Sequence, residues 1–280
     1  MPLENVRRRG LRYRLPFQSL HEPAWILLQI KAVVSLVFAF MGFVRLVRNW
    51  YAPLLIRFSP SATRDIEVEV RTRDGLRYII RPKRGELSIL NEVLYHNIYA
   101  RQLPVNGTVV DIGAHIGIFA VYAGTESDTV ICYEPYPDNL RLLLRNAQLN
   151  SLVNVTSFRQ AVGGSKGVRK LSVHATKSYG HTLYPHDHHN HAATMVVETI
   201  TLEDIFSSNR LEHIDLLKVH CEGAERAILT HAPQTILDRI DKIAIKHSGR
   251  NGAELASFLI TRGFEVRRGD REMIYAMRKR

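Results

Sequence analysis

Cysteine is scarce: Cys132 and Cys221 are the only two in 280 residues. Two thiols build neither a disulfide framework nor a cysteine-rich zinc site. Each lies in or beside an apolar run that reads as a strand, so both are expected to be reduced, small, buried hydrophobes. A cleaved signal peptide would put its apolar region nearer the start and end it in a small-residue cleavage site; neither is seen, so the early apolar region is expected to be an anchor. No repeat or low-complexity tract of useful length is present. Long apolar runs are also missing. The stretch 32–44, which carries no charged residue, has 13 residues, and at about 1.5 Å per residue it falls short of a hydrocarbon core of roughly 30 Å. A hydrophobic content of 45% and a charged content of 23% exclude wholesale disorder and a coiled coil.

Positive charge is abundant. The formal net charge is +11, which predicts attraction to nucleic acid, an anionic bilayer or a phosphorylated substrate. Its placement along the chain narrows the choice. Arg7, Arg8, Arg9, Arg12 and Arg14 precede a stretch, 24–44, that is apolar apart from Gln29, Lys31, Ser35 and Gly42, and Arg45, Arg48 and Arg57 follow it. Counted from Ala24 the segment is about long enough to span, provided that Lys31 snorkels or faces protein. Arginines on both flanks select no orientation. The preferred reading is a monotopic helix at an anionic membrane surface; a single span and a core or dimer-packing helix are the alternatives. The expected location is membrane-associated, with the domain that follows cytoplasmic. The terminal Arg278, Lys279 and Arg280 read as a solvated tail.

From residue 61 the pattern becomes that of a compact domain, so the expected division is a basic, hydrophobic segment 1–60 and a domain 61–280. Within it, 61–105 should form a β-hairpin and a helix, and 106–280 a core. Ile66, Val68 and Val70 alternate with charged residues, Arg73, Asp74 and Gly75 supply a turn, and 78–80 answers as a second strand. A helix over 89–99 should follow. Beyond Asn106, strands at 108–112, 130–133, 155–162, 214–219, 242–247, 265–268 and 272–277 alternate with helices such as 137–150. The predicted fold is α/β and Rossmann-like, a mostly parallel twisted sheet with helices on both faces.

The chemistry concentrates where strands end. Val109-Val-Asp111-Ile-Gly113-Ala-His115-Ile-Gly117 is a buried strand running into a glycine-bearing turn and a helix. Gly113 would let the backbone approach a ligand, and Gly117 would let the helix pack near the strand. The D-x-G-x-x-x-G spacing differs from the G-x-G-x-x-G of a dinucleotide site. An acid there suits a cofactor carrying an amino-acid ammonium better than a pyrophosphate. Glu134 ends the next strand, 23 positions after Asp111, where an acid binds ribose hydroxyls. Gln160 and Ala161, at the third strand end, could meet an adenine edge. Lys218, His220 and Glu222 alternate at a further strand end, in the crevice where open α/β sheets bind ligands.

With these residues in view, the chain resembles the FkbM-type family of S-adenosylmethionine-dependent O-methyltransferases. The resemblance is carried by Asp111 to Gly117, Tyr133-Glu-Pro-Tyr-Pro137, Asn146 with Asn150, Gln160-Ala-Val-Gly163, Thr201-Leu-Glu-Asp204, and Ile214 through Lys218 and Glu222-Gly-Ala-Glu225. These keep their order from residue 65 onward and leave the first sixty residues outside. The resemblance implies a class I methyltransferase fold, S-adenosyl-L-methionine as cofactor, and Asp111, Gly113, His115, Gly117, Glu134, Gln160 and Ala161 around it.

Three positions depart from the family. It usually has Asn at His115, Asp at His220 and an acid at Lys246. The first reads as a tolerated polar exchange. At His220 a neutral imidazole could take a proton from an attacking hydroxyl, so the histidine preserves catalysis, changes the substrate or marks an inactive relative. His220 and Glu222 are the expected substrate-side residues, with Lys218 and Glu225 as supports; the bland alternative is a buried polar strand end that fixes the next helix. His181, His186, His188, His189 and His191 crowd a loop with Asp187, but the spacing matches no zinc signature, so no metal is expected and a solvated loop is preferred.

Three functions compete. O-methylation of a hydroxyl on a glycan, glycolipid or other small molecule at a membrane surface leads. Nucleic-acid binding or RNA modification is weaker, because much of the excess charge sits at the two termini instead of on one face interleaved with aromatics. A non-catalytic membrane-anchored scaffold is the third.

Overall fold

A computed structural model describes residues 40–99, 102, 106–184, 191–247 and 252–279. The chain divides into Met1–Phe40 and Met41–Arg280, and the architecture below is that of the second unit. Most of the apolar segment 24–44 lies outside the described residues. Among them, no helix is long and apolar enough to cross a membrane. Phe43 and Val47 are buried in the core of the domain, so residues 41–60 pack with the sequence that follows them.

The helices are α1 Tyr51–Phe58, α2 Glu86–Leu90, α3 Ile118–Gly124, α4 Pro137–Leu149, α5 Leu202–Ser208, α6 Glu225–Thr230, α7 Gln234–Leu237 and α8 Gly252–Thr261. The strands are β1 Val68–Arg71, β2 Arg77–Ile80, β3 Thr108–Ile112, β4 Thr129–Tyr133, β5 Val155–Phe158, β6 Ala161–Val162, β7 Gly167–His174, β8 His191–Ile200, β9 Ile214–Val219, β10 Ile240–Lys246, β11 Phe264–Arg268 and β12 Met273–Arg278. Seven strands form the main sheet in the order β11-β12-β10-β9-β3-β4-β5. The pairs from β10 through β5 are parallel, while β12 runs antiparallel to both neighbours. This is the expected Rossmann-like methyltransferase fold.

Period-two alternation sends the strand residues into two cores. Val109, Leu216 and Ala244 join one apolar cluster, and their chain neighbours Val110, Leu217 and Ile243 join the other. Helices start where local chemistry favours them. Pro137 occupies the first turn of α4, where its missing N–H costs nothing. Thr201 and Asp204 form a reciprocal capping box at α5, which satisfies two otherwise orphaned N–H groups.

The hairpin β1–β2 forms as expected, and α4 explains where it docks. Asn146 accepts from the Ile79 N–H at 2.6 Å and donates to its carbonyl at 3.2 Å. Asn150 does the same with Arg77, at 2.9 and 2.7 Å. Two amides one helical turn apart thus imitate a neighbouring strand and satisfy an open sheet edge.

Arg278, expected in a solvated tail, instead ends β12, where its guanidinium pairs with Asp238 at 3.0 Å and lies over the Phe264 ring. The structure differs from the sequence expectation in three further places. The strand expected over 155–162 splits at the exposed Arg159: β5 stays in the main sheet, while β6 joins a separate sheet of order β6-β8-β7. Strands β7 and β8 had no counterpart in the sequence reading, because β7 is exposed along its first half and carries Arg169 and Lys170 there. The helix expected over 89–99 begins earlier, at Glu86, and continues as a π-helical turn Asn91–Tyr95. It stops because Asn97 takes a left-handed conformation, φ 51°.

Candidate active site

The C-terminal ends of β3, β4 and β9 open onto one cleft with about 880 Å³ of empty space, open solvent included. This is the crevice in which open α/β sheets bind ligands. Gly113, His115, Glu134, Ala161, Lys218, His220 and Glu222 all contribute to its wall. Gln160, which precedes β6, does not, although its neighbour Ala161 does.

Asp111 lies behind that wall. Its carboxylate is fully buried, with Oδ1 2.6 Å from the Lys218 ammonium, and Oδ2 has no hydrogen-bond partner among the described residues. Burial pushes the carboxyl up and the lysine opposes that. Lys218 Nζ also donates to the Gly113 carbonyl at 2.8 Å. Lys218 therefore bridges the glycine turn and its acid at the cleft wall.

The turn owes its shape to His115 and the glycines. Gly113 has φ 74°, and a Cβ there would stand 2.0 Å from the His220 carbonyl oxygen, so this glycine is required by the β9 end more than by a ligand. Gly117 has φ 81°, and a Cβ would meet Leu143 of α4 at 2.9 Å. His115 is left-handed as well, φ 56°, a conformation that asparagine and histidine tolerate better than most residues. Burial lowers the His115 imidazole well below its ordinary value. Its Nε2 lies 2.8 Å from Ser178 Oγ, and its buried Nδ1 has no hydrogen-bond partner among the described residues.

Glu134 accepts from the backbone N–H of His115 at 2.9 Å and of Tyr136 at 3.0 Å. Burial nevertheless raises its carboxyl from 4.5 to about 7. Asn139 donates to it at 3.5 Å and to the Ser178 carbonyl at 2.8 Å. Asn139 is in turn held by Arg81, 2.8 Å away, which is ion-paired with the buried Glu86. This support had no visible signal in the sequence, since hairpin, α2 and α4 residues meet only in three dimensions. The loop around Ser178 and His181, between β7 and β8, also closes on the cleft, and His181 packs on the Tyr136 ring with centroids 4.4 Å apart. His186, His188 and His189 lie outside the described residues.

His220 lines the cleft just beyond the end of β9. Its Nδ1 lies 3.1 Å from the Tyr99 hydroxyl, and burial, aided by Lys218 and Lys246, lowers its imidazole well below the ordinary value. The sequence reading had not singled out Tyr99. Glu222 has φ 42°, and its carbonyl accepts from Thr182 at 2.6 Å. Glu225 accepts from the N–H groups of Cys221 and Gly223, and burial raises it to about 7, so it braces this turn. A second cavity adjoins through His220 and Glu222 and includes Lys246, which is ion-paired with Glu92.

The methyltransferase FkbM domain matches residues 111–270. The chain belongs to this family. It is 24% identical over 184 residues to Methyltransferase 1 of Beauveria bassiana (strain ARSEF 2860), covering 58% of this chain and 74% of that one. It is 25% identical over 233 residues to Methyltransferase sdnD of Sordaria araneosa, covering 71% and 90%. Among solved structures, methyltransferase FkbM from Methylobacillus flagellatus KT aligns with a TM-score of 0.44 and 18% identity over 68% of this chain. This chain spans about half of that protein, 53%.

The family's methyl donor is S-adenosylmethionine, and the cleft fits it. A strand-end carboxylate, an unpartnered buried nitrogen on His115 and a glycine turn are the groups that a ribose diol and a polar amino-acid tail require.

Proposed function

We propose that the protein transfers a methyl group from S-adenosylmethionine to a hydroxyl of a glycan, glycolipid or other small molecule at a membrane surface. The observation that carries this reading is the joining of Glu134, the Gly113–His115 turn and His220 in one cleft. When bound, the cofactor supplies an electrophilic methyl on a sulfonium that is its own leaving group, so alignment is most of the catalysis.

Glu134 would accept from the ribose hydroxyls, the Gly113–His115 backbone would hold the amino-acid end, and Ala161 would lie against the base. Asp111 and Lys218 would fix the turn from behind. His220 would take the acceptor proton at Nε2. That role uses the tautomer in which Nδ1 carries hydrogen and donates to the Tyr99 oxygen. Its depressed basicity keeps the imidazole neutral, and so competent as a base, at neutral pH. Glu222, which lines the same cleft, would orient the acceptor.

The test is calorimetric titration of the full protein with S-adenosylmethionine and S-adenosylhomocysteine, followed by a search for methylated products in membrane extracts. Binding that Glu134→Gln weakens, together with a methyl ether product, supports the reading. No binding by folded protein leaves the scaffold reading in its place.

A further inference from the structure

Helix α1 turns an apolar edge outward. Tyr51, Leu55 and Phe58 lie at i, i+4 and i+7, on one face, and are 56, 68 and 75% exposed. The helix is not a fraying end: Pro53 is buried and Leu54 packs into the core. A side chain that solvent could otherwise reach from a flexible segment is thus held outward by packing on the other side. Exposed aromatic and leucine side chains clustered on one face signal a docking surface.

Charge says what would dock. Residues 40–64 contain Arg45, Arg48, Arg57 and Arg64 and no aspartate or glutamate, and all four arginines are exposed. The neighbouring Arg71, Arg77 and Arg84 are paired with Glu69 and Asp65, whereas those four form no ion pair with a described residue. Nucleic acid would neutralise the arginines but leave Leu55 and Phe58 in water. An anionic bilayer meets both demands: apolar side chains enter the acyl boundary, and guanidinium groups bind headgroup phosphates. The sequence leading into this region, 24–39, is apolar apart from Gln29, Lys31 and Ser35.

We propose that α1 is a membrane-docking face of the catalytic domain, with Tyr51, Leu55 and Phe58 entering an anionic lipid surface and Arg45, Arg48, Arg57 and Arg64 binding its headgroups. This deepens the membrane part of the function proposed above, and rests on it only there, since no part of it uses the methyl chemistry.

The experiment uses the full chain carrying Trp25→Phe, which leaves Trp50, next to Tyr51, as the single indole. It is mixed with phosphatidylcholine vesicles with or without phosphatidylserine, with bromine on the acyl chains. The expected result is quenching of Trp50 by the anionic vesicles, weakened by salt. A Leu55→Ser, Phe58→Ser pair should lower partitioning by about tenfold or more with cofactor binding unchanged. Quenching that is absent, or indifferent both to lipid charge and to the pair, overturns the proposal. So does a pair that turns a dimer into a monomer without affecting lipid, because a second copy then covers the face. Wild type that docks but binds no cofactor sinks the methyltransferase reading alone.

Discussion

The Lys218 ammonium stands 2.6 Å from Asp111 Oδ1, with the two side chains 4 and 0% exposed. A buried pair of this kind contributes little net stability, but breaking it from one side leaves an uncompensated charge. Lys218→Met should therefore cost roughly 3–5 kcal/mol and distort the Gly113 turn. Adding Asp111→Asn should restore most of the loss. Denaturant unfolding of the two variants checks this; equal stability of single and double would refute it.

Glu134 is expected to affect stability and binding in opposite directions. Its folded value of about 7 exceeds the ordinary 4.5, so the folded state holds the proton more tightly than the unfolded one between these values. Relative to an unshifted group, the ionised carboxylate costs the fold stability as pH rises through 7, by at most about 3 kcal/mol. Glu134→Gln should thus gain in Tm over wild type as pH goes from 6 to 8.5. It should also bind S-adenosylmethionine about tenfold or more weakly, because the amide offers one acceptor oxygen where the carboxylate offers two. A Tm difference that does not change with pH would show that the proton is not held there.

Tyr99 is a positioning residue in this reading, acting through His220. Tyr99→Phe removes the partner of Nδ1 and should lower kcat by roughly tenfold or more while leaving the KM for the methyl donor near that of wild type. The acid limb of the wild-type rate profile should fall well below pH 6.5, since His220 gains its proton only there, and it should move in the variant. An unmoved limb would remove His220 as the base.

Gly113→Ala is expected to be severe. The new Cβ would lie 2.0 Å from the His220 carbonyl oxygen at a backbone φ of 74°, and neither backbone segment can step aside cheaply. The expected loss exceeds about 2 kcal/mol, whereas Gly75→Ala, with φ 100° but nothing within 4 Å of the new Cβ, should suffer only the conformational cost. Thermal melts of the pair separate crowding from backbone strain.

The sequence by itself determined the fold class, the main strands and the elements that carry the cleft. Apolar runs of period two are a local property, and β3, which matches its expected range of 108–112, needs no distant residue to be recognised. The same holds for Asp111, Glu134 and the glycine turn, whose placement at strand ends is written in spacing. Tertiary structure decided what each group does. That Asp111 is turned toward Lys218, 107 positions on, and that Asn139 ties Glu134 to Arg81, depend on the parallel pairing of β3 with β9 and on the hairpin lying against α4. Strands β7 and β8 escaped detection because much of their surface faces water and their charges interrupt the alternation. Tyr99 escaped because a tyrosine near a helix end gains meaning only from the histidine that folding brings beside it. Local patterns set which elements form; burial and long-range contacts, which no short window of sequence contains, set which side chains meet.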